Sequence, residues 1–258
     1  MKRNSIKKIQ QLKNKRPISC LTAYSSSISK IVDEYVDIIL VGDSLGNAVY
    51  GMKNTQSVTL DMMRNHGKAV FQSSKKALTI IDMPYNSYQN TKQALNNAKN
   101  LLKYTKCQLV KLEIDKKKVS IISHLVKNNI PVVSHIGVLP QQFSNFNKIK
   151  ILGKTNKQKN EILDLAYQLE NAGSSFLLLE CIDKELAKEI TKNIKIPTIG
   201  IGSSVHCDGQ ILVINDILNI DNTIRKPRFV KIYANLSSLI NKSVKQYVED
   251  VKNKNFPK

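Results

Sequence analysis

Six side chains able to carry acid, base or electrostatic chemistry recur at the ends of short apolar runs: Asp43, Asp82, Lys111, Glu113, His135 and Glu180. Charged groups at the end of an apolar strand are costly unless they are paired, bound to metal or wet. One such residue is ordinary. Six, on five consecutive runs, imply a shared cavity. Asp43 and Asp82 would come from neighbouring strands, whose backbones lie ~5 Å apart in any sheet. Two carboxylates so placed repel, so one gains a proton or a cation joins them. A hard divalent ion, Mg²⁺ above all, suits oxygen ligands, with Glu113 a third ligand directly or through water. The soft or histidine-rich set that zinc prefers is missing. The competing reading is that each aspartate only caps the helix after it.

Lys111 and Glu113 are two apart on a strand and so face the same side. An ammonium there would stabilise negative charge developing on a bound carbonyl, or simply pair with Glu113 or Asp82. Glu180 closes the run Phe176-Leu-Leu-Leu, a setting that raises a carboxylate pKa and makes a general base near neutral pH. The alternative is a buried ion pair with a lysine. His135 gains weight from this company, although a lone histidine is more often a satisfied core residue. Gly42, Gly46, Gly200 and Gly202 permit close backbone approach to a ligand. Gly200-Ile-Gly-Ser-Ser204 lacks the nucleotide-loop patterns, so nucleotide binding gains no support.

These residues need strands to position them. The runs Ile18-Ser-Cys-Leu-Thr22, Asp37-Ile-Ile-Leu-Val-Gly42, Ala77-Leu-Thr-Ile-Ile-Asp82 and Gln108-Leu-Val-Lys-Leu-Glu113 read as parallel strands buried on both faces. So do Pro131-Val-Val-Ser-His135, Ser175-Phe-Leu-Leu-Leu-Glu180 and Ile196-Pro-Thr-Ile-Gly-Ile-Gly202, with 209–214 an eighth candidate. Helical spacing marks 26–34, 91–104, 160–172, with Gly173 as C-cap, and 183–193. This alternation over 258 residues predicts an α/β fold, a single-domain (β/α)8 TIM barrel over 1–258. An open doubly wound sheet would instead gather its functional residues at one switch point. Two long connections, 47–59 and 139–155, suggest lids or substrate walls. A basic amphipathic helical extension over about 1–16 is expected outside the barrel, and a C-terminal helical region over about 229–252.

Forty Lys and Arg against 20 Asp and Glu give a net charge of +20. That is a nucleic-acid footprint, yet only five of the 40 are Arg and there is no Trp for stacking. The lysines are spread along the whole chain, so no specific nucleic acid is expected. Cys20, Cys107, Cys181 and Cys207 are too scattered for a zinc ribbon or a disulfide framework. No apolar run approaches the ~20 residues that span a bilayer, and the first residues lack a secretory signal. The expected location is the cytoplasm.

Several motifs, in one order, resemble the ketopantoate hydroxymethyltransferase family. They are Val41-Gly-Asp-Ser-Leu-Gly46, Asp82-Met-Pro84, Val110-Lys-Leu-Glu113, His135-Ile-Gly-Val-Leu-Pro-Gln141, Leu179-Glu-Cys181, Ile199-Gly-Ile-Gly202 and Cys207-Asp-Gly-Gln-Ile-Leu-Val213. The resemblance runs from about Thr22 to Ile220 and continues in the tail from Lys226. It implies a barrel enzyme of pantothenate synthesis that moves a one-carbon unit from 5,10-methylenetetrahydrofolate to 3-methyl-2-oxobutanoate through a Mg²⁺-stabilised enolate. It implies one Mg²⁺ per subunit at Asp43, Asp82 and Glu113. It places Asp43, Ser44, Asp82, Lys111 and His135 around the oxo acid, and makes Glu180 the proton acceptor. A homo-oligomer, commonly a decamer, is implied as well. The chain departs from the family pattern where T-A-Y-D reads Thr22-Ala-Tyr-Ser25, where G-G-Y-K-V-Q-G-R reads as 147–154, and where G-I-G-A-G reads Gly200-Ile-Gly-Ser-Ser204. A related Mg²⁺-dependent oxo-acid lyase or mutase barrel and a basic nucleic-acid-binding protein are the other readings.

Overall fold

The computed structural model describes residues 3–143, 150–221 and 226–257. Eight parallel strands close in sequence order into a barrel. They are β1 (Ile18–Thr22), β2 (Ile38–Val41), β3 (Leu78–Asp82), β4 (Leu109–Glu113), β5 (Val132–Gly137), β6 (Phe176–Glu180), β7 (Thr198–Ile201) and β8 (Gly209–Leu212). Each lies within or beside its sequence-predicted run. The helices are α1 (Ile6–Gln10), α2 (Ser26–Val32), α3 (Leu45–Ala48), α4 (Leu60–Ser73), α5 (Thr91–Thr105), α6 (Val119–Lys127), α7 (Asn156–Asn171), α8 (Lys184–Asn193), α9 (Ile214–Ile217) and α10 (Leu236–Lys252). The fold is the expected (β/α)8 barrel. Among the described residues no helix is long and apolar enough to cross a membrane.

Period-two alternation along the strands builds the interior. Ile18 and Cys20, Ile38 and Leu40, Leu78 and Ile80, Leu109, Val133, Phe176 and Leu178, Ile199 and Ile211 form one buried cluster. Two residues further along the same alternation stand Asp82, Lys111, His135 and Glu180, and Glu113 lies two beyond Lys111. The registry that fills the barrel with apolar side chains therefore also delivers the polar ones to its C-terminal mouth.

The N-terminal segment packs its apolar face against the barrel core. Ile9, 1% exposed, belongs to the barrel core, and Ile6 and Leu12 pack against it. Their three-residue spacing makes one apolar helical face, and burying that face outweighs leaving it in water. Lys13 fixes the segment through an ion pair with Asp208 at 2.6 Å.

The chain forms two compact units, 1–211 and 212–258. In the second, Leu236 N–H donates to the Leu218 carbonyl at 2.9 Å. Asn235 caps α10 by accepting from Ser238 N–H. That cap starts the helix at Leu236, later than the 229 expected.

Two departures from the family pattern have local explanations. Ser25, standing where the family carries Asp, still N-caps α2 by accepting from Ile28 N–H. Ser204 is not among the residues with positive φ, so its Cβ carries no backbone strain. The departures at 147–149 fall outside the described residues.

Candidate active site

Parallel register sets the six candidate side chains around one mouth. Asp82 on β3 is level with Lys111 on β4, Glu113 with His135 on β5, and Gly137 with Glu180 on β6. Asp43 and Ser44 follow β2 directly. Asp43, Asp82, Lys111, Glu113 and His135 are all buried, and the Glu180 side chain is 13% exposed.

Neither aspartate acts as a helix cap. The cap position of α3 belongs to Ser44, which makes no side-chain capping bond, and that of α5 belongs to Asn90. Instead Asp82 Oδ2 accepts from Asp43 N–H at 2.9 Å. Asp82 Oδ1 lies 2.9 Å from Lys111 Nζ in a buried ion pair, outside hydrogen-bonding geometry. Burial, and then the charge of Asp82, push the Asp43 carboxyl up to about 7, against the pull of Lys111 and Gln141. Burial also holds Glu113 well above the usual carboxylate range, with Asp43 adding to the shift. Burial alone would lower Lys111. The charges of Asp82, Asp43 and Glu113 outweigh it and hold the ammonium above its ordinary value.

His135 links this cluster to Glu180. Its Nδ1 lies 3.4 Å from Lys111 Nζ, and an ammonium only donates, so Nδ1 accepts. The ring proton then sits on Nε2, which lies 3.2 Å from Glu180 Oε2, outside hydrogen-bonding geometry. Burial, with the Lys111 charge second, holds His135 well below its usual range, so the ring stays neutral. Burial raises Glu180 to about 8, opposed by Lys111. The group that faces Glu180 is thus this neutral imidazole, and among the described residues the alternative, a lysine ion pair, is not formed.

Glu180 is held by its backbone. Cys181 next to it takes φ 50°, a conformation that costs about 1–3 kcal/mol and persists only where the surroundings enforce it. Val138 N–H donates to the Glu180 carbonyl at 2.9 Å, and Ser203 Oγ bridges Leu179 O at 2.8 Å and Ile182 N at 3.0 Å. Gly137 has φ 98°, and a Cβ there would run into the Glu180 carbonyl oxygen. Gly137→Ala is therefore expected to cost about 1–3 kcal/mol and to displace Glu180. Urea unfolding with parallel turnover assays checks this, and an unchanged midpoint with full activity would contradict it.

The sequence reading gave Gln141, the last residue of a family motif, no role of its own and did not single out Tyr88. Gln141 is 2% exposed and touches both Asp43 and Glu113. Its Nε2 donates to Asp43 Oδ2 at 2.7 Å and its backbone N–H to Glu113 Oε2 at 3.0 Å. The Tyr88 hydroxyl donates to Gln141 Oε1. Gln56, from the first long connection, donates to the Gln141 carbonyl at 3.0 Å and so ties the two long connections together beside the carboxylates. Ser44 Oγ is hydrogen-bonded to the Tyr24 hydroxyl at 2.7 Å.

A mouth of hard oxygen donors with one ammonium and a neighbouring base suits proton removal next to a carbonyl. Among the described residues, no three His, Cys, Asp or Glu side chains are gathered closely enough to hold one ion. The donors therefore suit a cation bound by two carboxylates and completed by other oxygens, not a closed protein cage.

Similar folds occur in phosphonopyruvate hydrolase, solved as a complex with oxalate and Mg²⁺, with a TM-score of 0.64 at 10% identity over 96% of this chain and 87% of that one. A 2,3-dimethylmalate lyase of the PEP mutase/isocitrate lyase superfamily gives a TM-score of 0.62 at 14% identity over 98% and 89%. At such identities the likeness shows the fold alone. The sequence relatives are far nearer. The 3-methyl-2-oxobutanoate hydroxymethyltransferase of Pelagibacter ubique is 48% identical over 254 residues, 98% of this chain and 95% of its own. That of Anaplasma marginale is 45% identical over 249 residues, 96% of this chain and 89% of its own. The ketopantoate hydroxymethyltransferase profile matches residues 3–258, which include every side chain of the mouth, and the chain belongs to that family of hydroxymethyl-transferring enzymes.

Proposed function

We propose that this enzyme transfers a one-carbon unit from 5,10-methylenetetrahydrofolate to 3-methyl-2-oxobutanoate, taking up water and releasing 2-dehydropantoate and tetrahydrofolate. Glu180 removes the proton from C3 of the oxo acid. The Lys111 ammonium stands beside the carboxylate pair, where it offsets negative charge as it develops on the substrate oxygen. His135, neutral and with its proton on Nε2, lies against the Glu180 carboxylate and passes no charge of its own into the site. Ser44 and Asp82 stand within the same mouth to fix the oxo acid.

The residues present fit a divalent cation. Asp43 and Asp82 are buried hard oxygen donors following or ending adjacent strands, and they cap no helix, although Asp82 Oδ1 is also paired with the Lys111 ammonium. They would hold Mg²⁺, with Glu113 reaching it through water. Bound there, Mg²⁺ would supply Lewis-acid polarisation of the oxo acid's carbonyl. By family resemblance, we also infer a homo-oligomer working in the cytoplasm.

The observation that carries this reading is the gathering of Asp43 and Asp82, which cap no helix, and a buried base, Glu180, in one mouth with Lys111 and His135 between them. Incubating the protein with both substrates and Mg²⁺ should yield 2-dehydropantoate, and EDTA should abolish it. Turnover unaffected by EDTA would contradict the metal assignment.

Protonated Glu180 cannot accept a proton. At saturating Mg²⁺ the rate is therefore expected to fall as pH drops through a value above the usual carboxylate range, toward the 8 that burial gives Glu180. A rate flat down to pH ~5, near the ordinary carboxylate range, would contradict Glu180 as the base.

A further inference from the structure

Gln141 is neutral, lies outside the strands, and uses every polar atom it has. Nε2 donates to Asp43 Oδ2 at 2.7 Å and to the Met83 carbonyl at 3.0 Å. Oε1 accepts from the Tyr88 hydroxyl. The backbone N–H donates to Glu113 Oε2, and the backbone carbonyl accepts from Gln56 Nε2. A carbonyl only accepts, so Met83 fixes the NH₂ end of the amide toward Asp43 and excludes the flipped orientation. A buried amide held on all sides has one available pose.

Asp43 follows β2 and Glu113 ends β4. Between them stands Asp82 of β3, bonded to the Asp43 backbone. Gln141 spans the outer two carboxylates from a short 3₁₀ turn, Pro140–Gln142. It commits Oδ2 of Asp43 and Oε2 of Glu113 to hydrogen bonds. That leaves Oδ1 of Asp43 and Oε1 of Glu113 outside the Gln141 bonds, and Glu113 Oε1 lies 3.9 Å from His135 Nδ1.

We propose that Gln141 is a positioning residue that selects which oxygens of Asp43 and Glu113 are presented to the cation. The inference rests on the reading of these carboxylates as a cation site. A purely structural Gln141 would instead anchor the 139–143 turn and act on stability alone.

The test uses the full chain and Mn²⁺ as the probe, with bound ion read by electron paramagnetic resonance. Gln141→Met keeps the length and removes the amide. Gln141→Asn keeps the amide but is one methylene too short to reach Asp43 while remaining bonded to Tyr88. Residues that orient metal ligands typically change affinity by about 10–100-fold. Each variant is expected to weaken Mn²⁺ binding by that factor, with an altered Mn²⁺ spectrum. The metal-free protein should melt within a few degrees of the parent for at least the Asn variant. Parent-like affinity and spectrum in either folded variant would overturn the proposal. So would a loss of affinity fully accounted for by a matching loss of folded protein in both. Asp43→Asn serves as the separate control. If the parent binds no Mn²⁺, or Asp43→Asn binds it as the parent does, the cation reading itself fails and takes this inference with it. If that control loses binding while the Gln141 variants keep it, the inference alone fails.

Discussion

Glu180→Gln is expected to lower the rate of proton removal by about 10²–10⁴-fold, the range that a positioned general base contributes. The amide keeps the shape of the carboxylate and cannot accept a proton. The same substitution should stabilise the fold at alkaline pH. Burial raises Glu180 from an ordinary value of 4.5 to about 8. Between those values the folded chain binds more protons than the unfolded one, so its stability falls as pH rises, and the loss is complete above about 8. Gln does not titrate. The variant's melting temperature should therefore exceed the parent's at pH ~9 and approach it by pH ~5, the span over which this linkage acts. An inactive variant that is also less stable at high pH would point to misfolding and would contradict this account.

Lys111→Met should have an effect of comparable size on stability as well as on rate. The Lys111–Asp82 pair is buried, with side-chain exposures of 6% and 2%. Removing one partner of a buried pair leaves an uncompensated charge, at a cost of about 3–5 kcal/mol. Here the loss is compounded, because the Lys111 charge also opposes the upward shifts of Asp43, Glu113 and Glu180. Catalysis should fall by about 10²–10³-fold, as when one stabilising donor is removed from a reacting oxyanion. A divalent cation at the Asp43–Asp82 pair would supply positive charge where the ammonium is missing. Added Mg²⁺ is therefore expected to raise the melting temperature of Lys111→Met more than that of the parent. Equal Mg²⁺ shifts in the two proteins would contradict a cation at these aspartates.

The strands are legible because parallel strands buried on both faces need near-continuous apolar runs, and those runs stand out against a lysine-rich chain. The same alternation carries the polar mouth, since Asp82, Lys111, Glu113, His135 and Glu180 sit in phase with the core residues below them. Besides the four-residue helices α3 and α9, two longer helices leave little trace in the sequence. In α4 only Met63, Gly67 and Val70 are buried, which gives a weak periodic signal. Its Gly67 lets the helix approach the barrel, since a Cβ there would run into Ile81 Cδ1. That need is tertiary and invisible along the chain. The short helix α6 follows three lysines and is masked by them. The N-terminal segment reads as a basic extension because over residues 1–16 its basic residues outnumber its apolar ones, although Ile6, Ile9 and Leu12 share a face. The role of Gln141 escapes the sequence because the residue is neutral and lies on a connection. Its position just after Pro140, six residues beyond His135, is the available signal. The competing cap reading for Asp43 and Asp82 is resolved only by seeing Ser44 and Asn90 at the cap positions.

The central claim is that Glu180 removes the C3 proton of an oxo acid polarised at the Asp43–Asp82 site. The most direct test follows exchange of that proton for deuterium by NMR, with 3-methyl-2-oxobutanoate and Mg²⁺ in deuterated water and no folate. Exchange catalysed by the parent, lost with EDTA and lost in Glu180→Gln, is the predicted result. Parent-like exchange in Glu180→Gln, or exchange indifferent to EDTA, would contradict the account.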